Sequence, residues 1–342
     1  MSALARWART GSGLLLAVLV TACSPGVQPR GDVAIAAEAP AAPAAPAAPA
    51  APSAPAAPSS TATSASPPVV PGAAVTPTGV VVPVLGASGD GWLVGTPCAR
   101  TATVADVRPL TGTIVLDAGH GGTETGAIGP LGNKESDLNQ AVVSYIQQAL
   151  EAEGISAIPT RTADYRVAIA ARAAIVSAVK PKAVVSIHHN SSFSHLRDMP
   201  GTEIFHQAVG ASAAESRRLA GLVYEEVTAL LARLEVEEWA ATPRPGAKPR
   251  RSSEGDDFYG MLRRTQGTPT ALVEVGFISH KAEERHYAEP AVQKAVGEAI
   301  ARGLVRFVTT SDPGSGYVTP PDLLDDERRG GGTANCEDPP LS

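Results

Sequence analysis

The sequence predicts an α/β protein: a twisted, mostly parallel sheet flanked by helices on both faces, within a single folded domain. Apolar runs of strand length alternate along the chain with segments of helical period, which is the order typical of such sheets. The strand-like runs are apolar throughout rather than at alternate positions, as in strands that are buried on both faces. Because aromatic residues make up only 4% of the 342 residues, we expect a core built mainly from Val, Ile, Leu and Ala.

The first 22 residues have the pattern of a secretory signal rather than of a folded element. Arg6 and Arg9 precede a short apolar run at 14–20, and Cys23 follows small residues. A basic start, a short apolar stretch and small residues at its end are typical of a cleaved export signal. The cysteine at the expected cleavage point resembles the bacterial lipobox, so we expect residues 1–22 to be removed and Cys23 to be lipidated. The alternative is an ordinary signal peptide with an incidental cysteine.

Residues 23–85 are predicted to form an Ala/Pro-rich disordered tether. Proline recurs at every third position from Pro40 to Pro58, which is the repeat of a polyproline II helix. Such a segment cannot bury a core, and about 60 residues at about 3.1 Å each reach roughly 180 Å when fully extended. With a lipid at its start, it would let a folded domain at residues 86–310 act at a distance from a membrane.

Five apolar runs and three helical patterns make up the predicted domain. The strand-like runs are 113–117, 155–160, 183–187, 202–206 and 271–275. The helical patterns cover 138–150, 212–234 and 292–307. Gly154 is expected to end the first helix, and Ser212 with Glu215 forms a capping-box pattern at the start of the second. Residues 240–257 are predicted to be a loop and residues 311–342 a disordered tail.

The charge pattern argues against a nucleic-acid partner. The whole chain carries a net charge of −6, and no basic run appears in it. Proteins that hold nucleic acid through phosphate contacts carry a clustered positive surface. No apolar stretch reaches the roughly 18 residues of a membrane-spanning helix, so membrane contact is expected only through the lipid at Cys23.

Acidic and imidazole groups lie where the predicted strands end. His120 sits in a glycine-rich segment after the first strand, and His188 and His189 continue the third. Glu135 begins the helix after the first strand, and Glu274 interrupts the apolar fifth strand. The carboxyl ends of parallel strands meet at one edge of a sheet. Two imidazoles and one carboxylate are a ligand set typical of catalytic zinc, and a second carboxylate nearby would take the proton of a water.

Each of these residues alone also has a simpler interpretation. A Gly-His-Gly segment can be a turn, a glutamate at a helix start is favoured by the helix dipole, and a histidine after a strand can belong to the core. Glu274 differs, because an unpaired carboxylate buried in a strand is costly and needs a partner or a function. The residues alone therefore leave two interpretations open: a metal hydrolase, or a purely structural role for the histidines and Glu135.

Taken together, four segments resemble the zinc-dependent N-acetylmuramoyl-L-alanine amidases of the amidase-3 type. They are 114–122, Glu135, 186–190 and 273–279, and Thr160-Arg161 with Asp164 and Arg172 also match. The resemblance spans residues 110–309. It implies one Zn²⁺ per chain with His120, Glu135 and His188 as ligands, and it makes Glu274 the catalytic carboxylate. The implied reaction is hydrolysis of the amide between N-acetylmuramic acid and L-alanine in peptidoglycan.

The sequence departs from the family pattern at two places. The family usually has a small residue after the second histidine ligand, where this chain has His189. Neighbouring strand residues point to opposite faces, so only one of the pair should ligate, and the pattern favours His188. His189, Asn190 and Arg161 are then candidates for contacts behind the metal or with substrate. The family often has Ser-Asn after the second glutamate motif, where this chain has a serine followed by His280.

The resemblance and the export signal together predict a lipid-anchored enzyme of the cell envelope that cuts stem peptides from glycan strands. Its partner would be peptidoglycan, and its lipid would lie on the outer face of the cytoplasmic membrane or in the outer membrane. One alternative is a zinc peptidase that acts on stem peptides. Another is a non-catalytic wall-binding lipoprotein, which would require the loss of a ligand or of the catalytic glutamate, and all four residues are present.

Regulation of such a site is left open by the sequence. In some related amidases a helix blocks the zinc until an activator protein moves it. Here the helix at 212–234 and the loop at 240–257 are the segments that would do so, and Glu235, Glu237 and Glu238 between them offer carboxylates. A run of charges after a helix is usually only solvated. His195, His206 and His286 belong to no motif and are predicted to be surface or packing residues.

Two cysteines remain after Cys23. Cys98 lies before the first predicted strand and Cys336 near the carboxyl terminus, and neither has a second cysteine or a histidine at metal-ligand spacing. An exported protein meets an oxidising environment, and the ends of a domain often lie near each other. We therefore expect a Cys98–Cys336 disulfide, the alternative being two free thiols on flexible ends.

Overall fold

The computed structural model describes residue 70 and residues 72–191, 201–234, 246–319, 322–324 and 331–342. All of them belong to one unit of the chain, residues 65–342. The expected export signal, Cys23 and the proline repeat lie outside the described residues.

Short strands and longer helices alternate through the described chain. In chain order the strands are β1 (Ala73–Val75), β2 (Val81–Ser88), β3 (Gly91–Gly95), β4 (Thr101–Val104), β5 (Arg108–Leu110), β6 (Ile114–Ala118), β7 (Ala157–Pro159), β8 (Ala183–Asn190), β9 (Glu203–His206), β10 (Gly246–Lys248), β11 (Arg250–Ser252), β12 (Thr270–Phe277) and β13 (Asp322–Leu324). The helices are α1 (Glu135–Ala152), α2 (Ile169–Val179), α3 (Ala213–Leu231), α4 (Gly260–Arg264), α5 (Lys281–Tyr287) and α6 (Pro290–Thr309).

A six-stranded sheet in the order β10-β9-β12-β8-β6-β7 forms the centre of the fold. Every neighbouring pair is parallel except β9 with β12, which is antiparallel. The five predicted strands correspond to β6, β7, β8, β9 and β12. The predicted class, a mostly parallel sheet between helices, is therefore confirmed.

Helices cover both faces of this sheet because successive residues of its strands point to opposite faces and are apolar on each of them. Ile114 and Leu116 of β6 pack into the cluster that α1, α3 and α6 form, whereas Val115 packs on the opposite face with Ile175 of α2 and Met261 of α4. The three predicted helices correspond to α1, α3 and α6. Among the described residues, none of the helices combines the length and the apolar character needed to cross a bilayer.

The helix ends agree with the predictions in part. Gly154 follows α1 with a φ of +71°, a conformation that costs glycine little, so it ends the helix as expected. Ser212 is the N-cap residue of α3, but its side chain makes no capping hydrogen bond, so the predicted capping box is wrong. Glu215 instead pairs with Arg218 at 3.0 Å along the same helix.

A second, antiparallel sheet precedes the central one, and it shortens the predicted tether. Its five strands have the order β4-β3-β2-β1-β5. The prediction that residues up to 85 are disordered is wrong for residues 73–85, which include β1 and most of β2. The reason is apolar burial: Val80, Val82 and Val84 are almost fully buried and pack with Val94 of β3.

The segment 240–257, predicted as a loop, contains two strands in its described part. Residues 246–248 form β10 by pairing in parallel with β9, and residues 250–252 form β11 by pairing with β13. Each strand has only three residues and depends on a partner far away in the chain, so no local pattern marks it.

The described parts of the carboxyl-terminal segment are ordered, which corrects the predicted disordered tail. Gly316 and Val318 exchange backbone hydrogen bonds with Ala247 at 2.9 and 3.0 Å. Further along, Cys336 forms the expected disulfide with Cys98 across 238 positions of sequence. The segment is polar, but it is held by the fold through these long-range contacts.

Candidate metal centre

Three side chains that can hold a metal ion meet at the carboxyl end of the central sheet. They are His120 from the loop after β6, Glu135 from the first turn of α1 and His188 from β8. Nε2 of His120 lies 3.1 Å from Oε1 of Glu135, and Nδ1 of His188 lies 2.9 Å from the same oxygen. One ligand atom from each residue lies within 4.8 Å of the other two. This donor set fits a catalytic Zn²⁺, which keeps a further position for water or substrate.

Two glycines allow the ligands to come this close. The backbone turns sharply after β6, where His120 itself has a φ of +60°. A Cβ atom at Gly119 would lie 2.2 Å from Cε1 of His188, and one at Gly126 would lie 2.5 Å from Oε2 of Glu135. Any side chain at either position would therefore displace a ligand.

Carboxylates set the charge of the ligand cluster. Burial lowers the pKa of His120, but Glu124 and Glu135 outweigh burial and raise this pKa to about 9. Burial raises the pKa of Glu135, but contacts with His120 and His188 outweigh it and hold the pKa well below its usual range. The cluster is thus poised to hold positive charge, and a divalent cation would replace the protons it binds.

Arg161 and Arg172 hold the backbone that carries these ligands. Both side chains are buried. Arg161 donates to the carbonyl oxygens of Gly119 and Ser136 at 3.1 and 2.7 Å, and Arg172 donates to that of His120 at 2.7 Å. Arg161 therefore lies behind the candidate ligands, bonded to the backbone that carries them.

Glu274 lies beside the ligands on β12. Its neighbours in register are His188 on β8 and Glu203 on β9, so the three side chains project from one face of the sheet. Oε2 of Glu274 is buried and makes no hydrogen bond to a described residue. Burial, and then the negative charges of Glu135 and Glu203, raise the pKa of Glu274 well above its usual range. A buried carboxylate whose pKa is raised in this way is chemically able to accept a proton.

His189 points to the opposite face, as strand alternation requires. The residue is 1% exposed, and its Nδ1 lies 2.8 Å from Oδ1 of Asn139 on α1. Asn139 in turn donates to Oε1 of Glu135 at 3.4 Å. Burial lowers the pKa of His189 to about 4, so the ring is neutral. His189 is thus connected to the candidate ligand Glu135 through Asn139, on the face of the sheet opposite His188.

Asn190 connects β8 to Glu203, a carboxylate that was not predicted from the sequence to belong to the site. Its Nδ2 donates to Oε2 of Glu203 at 2.8 Å, and the other oxygen of Glu203 pairs with the buried Lys248. The signal for Glu203 was present, because it interrupts a predicted apolar strand just as Glu274 does. Glu124, which lies 3.3 Å from Nδ1 of His120, had no such signal because its loop has no periodic pattern.

The remaining histidines lie away from the cluster or outside the described residues. His206 is buried, with its Nδ1 bonded to the carbonyl of Gln207 at 2.8 Å, which agrees with a packing role. His280 caps α5 by accepting from the backbone of Glu283 at 3.4 Å. His195 and the three glutamates at 235, 237 and 238 lie outside the part of the chain that the structure describes.

Comparison with known proteins gives one family for the same region. Residues 114–306 match the family model described as N-acetylmuramoyl-L-alanine amidase. The uncharacterized protein YqiI of Bacillus subtilis is 31% identical over 209 residues, which are 61% of this chain and 88% of that protein. The N-acetylmuramoyl-L-alanine amidase AmiC of Neisseria meningitidis is 25% identical, over 60% of this chain and 54% of its own length. The solved structure of Cwp6 from Clostridium difficile aligns with a TM-score of 0.50 at 26% identity, covering 58% of this chain and 30% of that one.

Proposed function

Because the chain belongs to the N-acetylmuramoyl-L-alanine amidase family, we propose that it hydrolyses the amide between N-acetylmuramic acid and L-alanine in peptidoglycan with one bound Zn²⁺. The observation that supports the metal is the meeting of His120, Glu135 and His188 within 4.8 Å. The observation that supports hydrolysis is the buried carboxylate of Glu274, in register with His188 on the neighbouring strand.

This geometry assigns different chemical roles to the metal and to Glu274. When bound, Zn²⁺ supplies a Lewis acid that polarises the scissile carbonyl and lowers the pKa of water. Glu274 accepts a proton from the attacking water as the new carbon–oxygen bond forms. It then delivers that proton to the amine of L-alanine as the carbon–nitrogen bond breaks. A pKa raised by burial and by Glu203 suits a carboxylate that must both take up and release a proton.

Product analysis tests the substrate assignment. Digestion of purified sacculi by the zinc-loaded protein is expected to release intact stem peptides with a new amino terminus on L-alanine, leaving glycan strands with free lactyl carboxyl groups. Chelation should stop the release, and added Zn²⁺ should restore it. Loss of only the terminal D-alanine would instead support the stem-peptide peptidase, and zinc binding without any cleavage would support a wall-binding protein.

We further propose that the protein is exported and held in the cell envelope by a lipid on Cys23, with residues 24–72 as the tether. The support is the export pattern before Cys23 and the proline repeat after it. Cys23→Ser is expected to move the protein from the membrane fraction of its host to the soluble fraction, whereas Ser24→Ala should leave it in place. A wild-type protein that is soluble, with an unmodified Cys23 by mass, would contradict the anchor.

A further inference from the structure

A series of side-chain contacts connects the carboxyl-terminal segment to the candidate ligand His120. It passes through Arg166 and Glu124. We propose that residues 331–342, fixed by the Cys98–Cys336 disulfide, position this ligand through Arg166 and Glu124. The inference rests on the zinc site of the proposed function, and it adds to that site two positioning residues and a segment beyond residue 306, where the family match ends.

Glu124 is the contact with the ligand. Nε2 of His120 faces Glu135, so its Nδ1 is the ring nitrogen that can be oriented from outside the cluster. Oε1 of Glu124 lies 3.3 Å from this Nδ1. Nδ1 is buried and has no hydrogen bond to a described residue, so Glu124 approaches it at close range without hydrogen-bond geometry. When Nε2 binds a metal, Nδ1 carries the proton of the neutral ring, and Glu124 is the carboxylate beside it. A carboxylate on the outer nitrogen of a metal-bound histidine fixes the ring orientation and raises its basicity.

Arg166 holds Glu124 in this place. Its Nε lies 3.2 Å from Oε2 of Glu124, the oxygen that does not face His120, in an ion pair without hydrogen-bond geometry. The two terminal nitrogens of the same guanidinium donate to the carbonyl oxygens of Ala334 and Gly332 at 2.8 and 2.9 Å. The planar guanidinium of arginine can make two hydrogen bonds and one ion pair in three directions at once, which the single ammonium of a lysine cannot reproduce.

The carboxyl-terminal segment is itself fixed at several points. Cys336 is bonded to Cys98, and Asp338 accepts from the backbone of Cys98 at 2.7 Å and from Arg100 at 2.8 Å. Leu341 packs against the apolar cluster of the amino-terminal sheet. The two carbonyl groups that accept from Arg166 therefore belong to a segment that is attached to the first sheet. Their positions depend on this disulfide and on the contacts of Asp338 and Leu341.

Zinc affinity tests the proposal, with the metal alone as probe and a chromogenic chelator as competitor. Glu124→Gln keeps the shape of the side chain but removes its charge, and it is expected to weaken zinc binding about 10- to 100-fold. Arg166→Ala and the double variant Cys98→Ser/Cys336→Ser should weaken it in the same direction, by roughly tenfold or less. Glu215→Gln, a carboxylate paired with Arg218 on α3, is the matched control and should bind zinc as the wild type does.

A double-mutant cycle separates positioning from general destabilisation. Because Arg166 acts through Glu124, Arg166→Ala should cost little further affinity in the Glu124→Gln background. The visible spectrum of the Co²⁺-substituted protein should shift in Glu124→Gln and stay unchanged in Glu215→Gln. Unchanged zinc affinity of Glu124→Gln, equal losses from Arg166→Ala in both backgrounds, or unchanged affinity of the cysteine variant would each overturn the proposed series of contacts. A wild-type chain that binds no zinc would overturn the proposed function itself.

Discussion

Glu274→Gln is expected to lower the rate of stem-peptide release from sacculi by about 10²- to 10⁴-fold, while the protein still binds one Zn²⁺. An amide has nearly the same shape as a carboxylate but cannot accept a proton from water and pass it to the leaving amine. Glu274 is not one of the three clustered ligands, so zinc binding should persist. The measurement pairs the release of new amino termini with the zinc content of the same sample.

The folded state should tolerate this change. The pKa of Glu274 is raised because burial and two neighbouring carboxylates disfavour its charged form, and glutamine removes that charge. Glu298→Gln on α6, an exposed carboxylate beside Lys294, is the control and should keep full activity. Retained turnover in Glu274→Gln would rule out the proposed proton transfer, and loss of zinc would make Glu274 a ligand instead.

Glu135→Ala is expected to abolish both zinc binding and amide hydrolysis. Its Oε1 is the atom that both ligand histidines approach, at 3.1 and 2.9 Å, so its removal leaves two imidazoles with no carboxylate between them. Two protein ligands fall short of the three that catalytic zinc sites use. In the wild type, zinc at about 100 times its dissociation constant should stabilise the fold by roughly 2.7 kcal/mol, and the variant should lose this gain.

Thermal unfolding with and without added Zn²⁺ measures this stabilisation directly. The matched control is Asp137→Ala, an exposed carboxylate in the same first turn of α1, which removes the same favourable charge at the helix start without touching a ligand. A zinc-dependent rise in the unfolding temperature of Glu135→Ala as large as that of the wild type would contradict the assigned ligand set.

Much of the fold could be read from the sequence because its signals are local. Continuous apolar runs identified five of the six strands of the central sheet. Helical periodicity identified α1, α3 and α6 within a few residues of their ends. The ligand residues could be proposed because imidazole and carboxylate groups stood at the ends of those runs. Glu274 stood out because a charge inside an apolar strand is costly.

The tertiary structure decided what depends on residues far apart in the chain. Strand alternation predicted opposite faces for His188 and His189, but only the sheet register shows that His188 lies beside Glu274, and only the folded chain brings His189 against Asn139. The amino-terminal sheet escaped prediction because its short strands follow a proline-rich segment.

The carboxyl-terminal segment escaped prediction for a related reason: its residues are polar. Arg166, for example, meets the carbonyl of Ala334 from 168 positions away. Contacts between residues so far apart in the sequence form because burial and hydrogen bonding in the folded chain outweigh weak local conformational preferences. The sequence by itself therefore determined the class of fold and the chemistry of the site, and the assembled chain determined which groups stand behind each ligand.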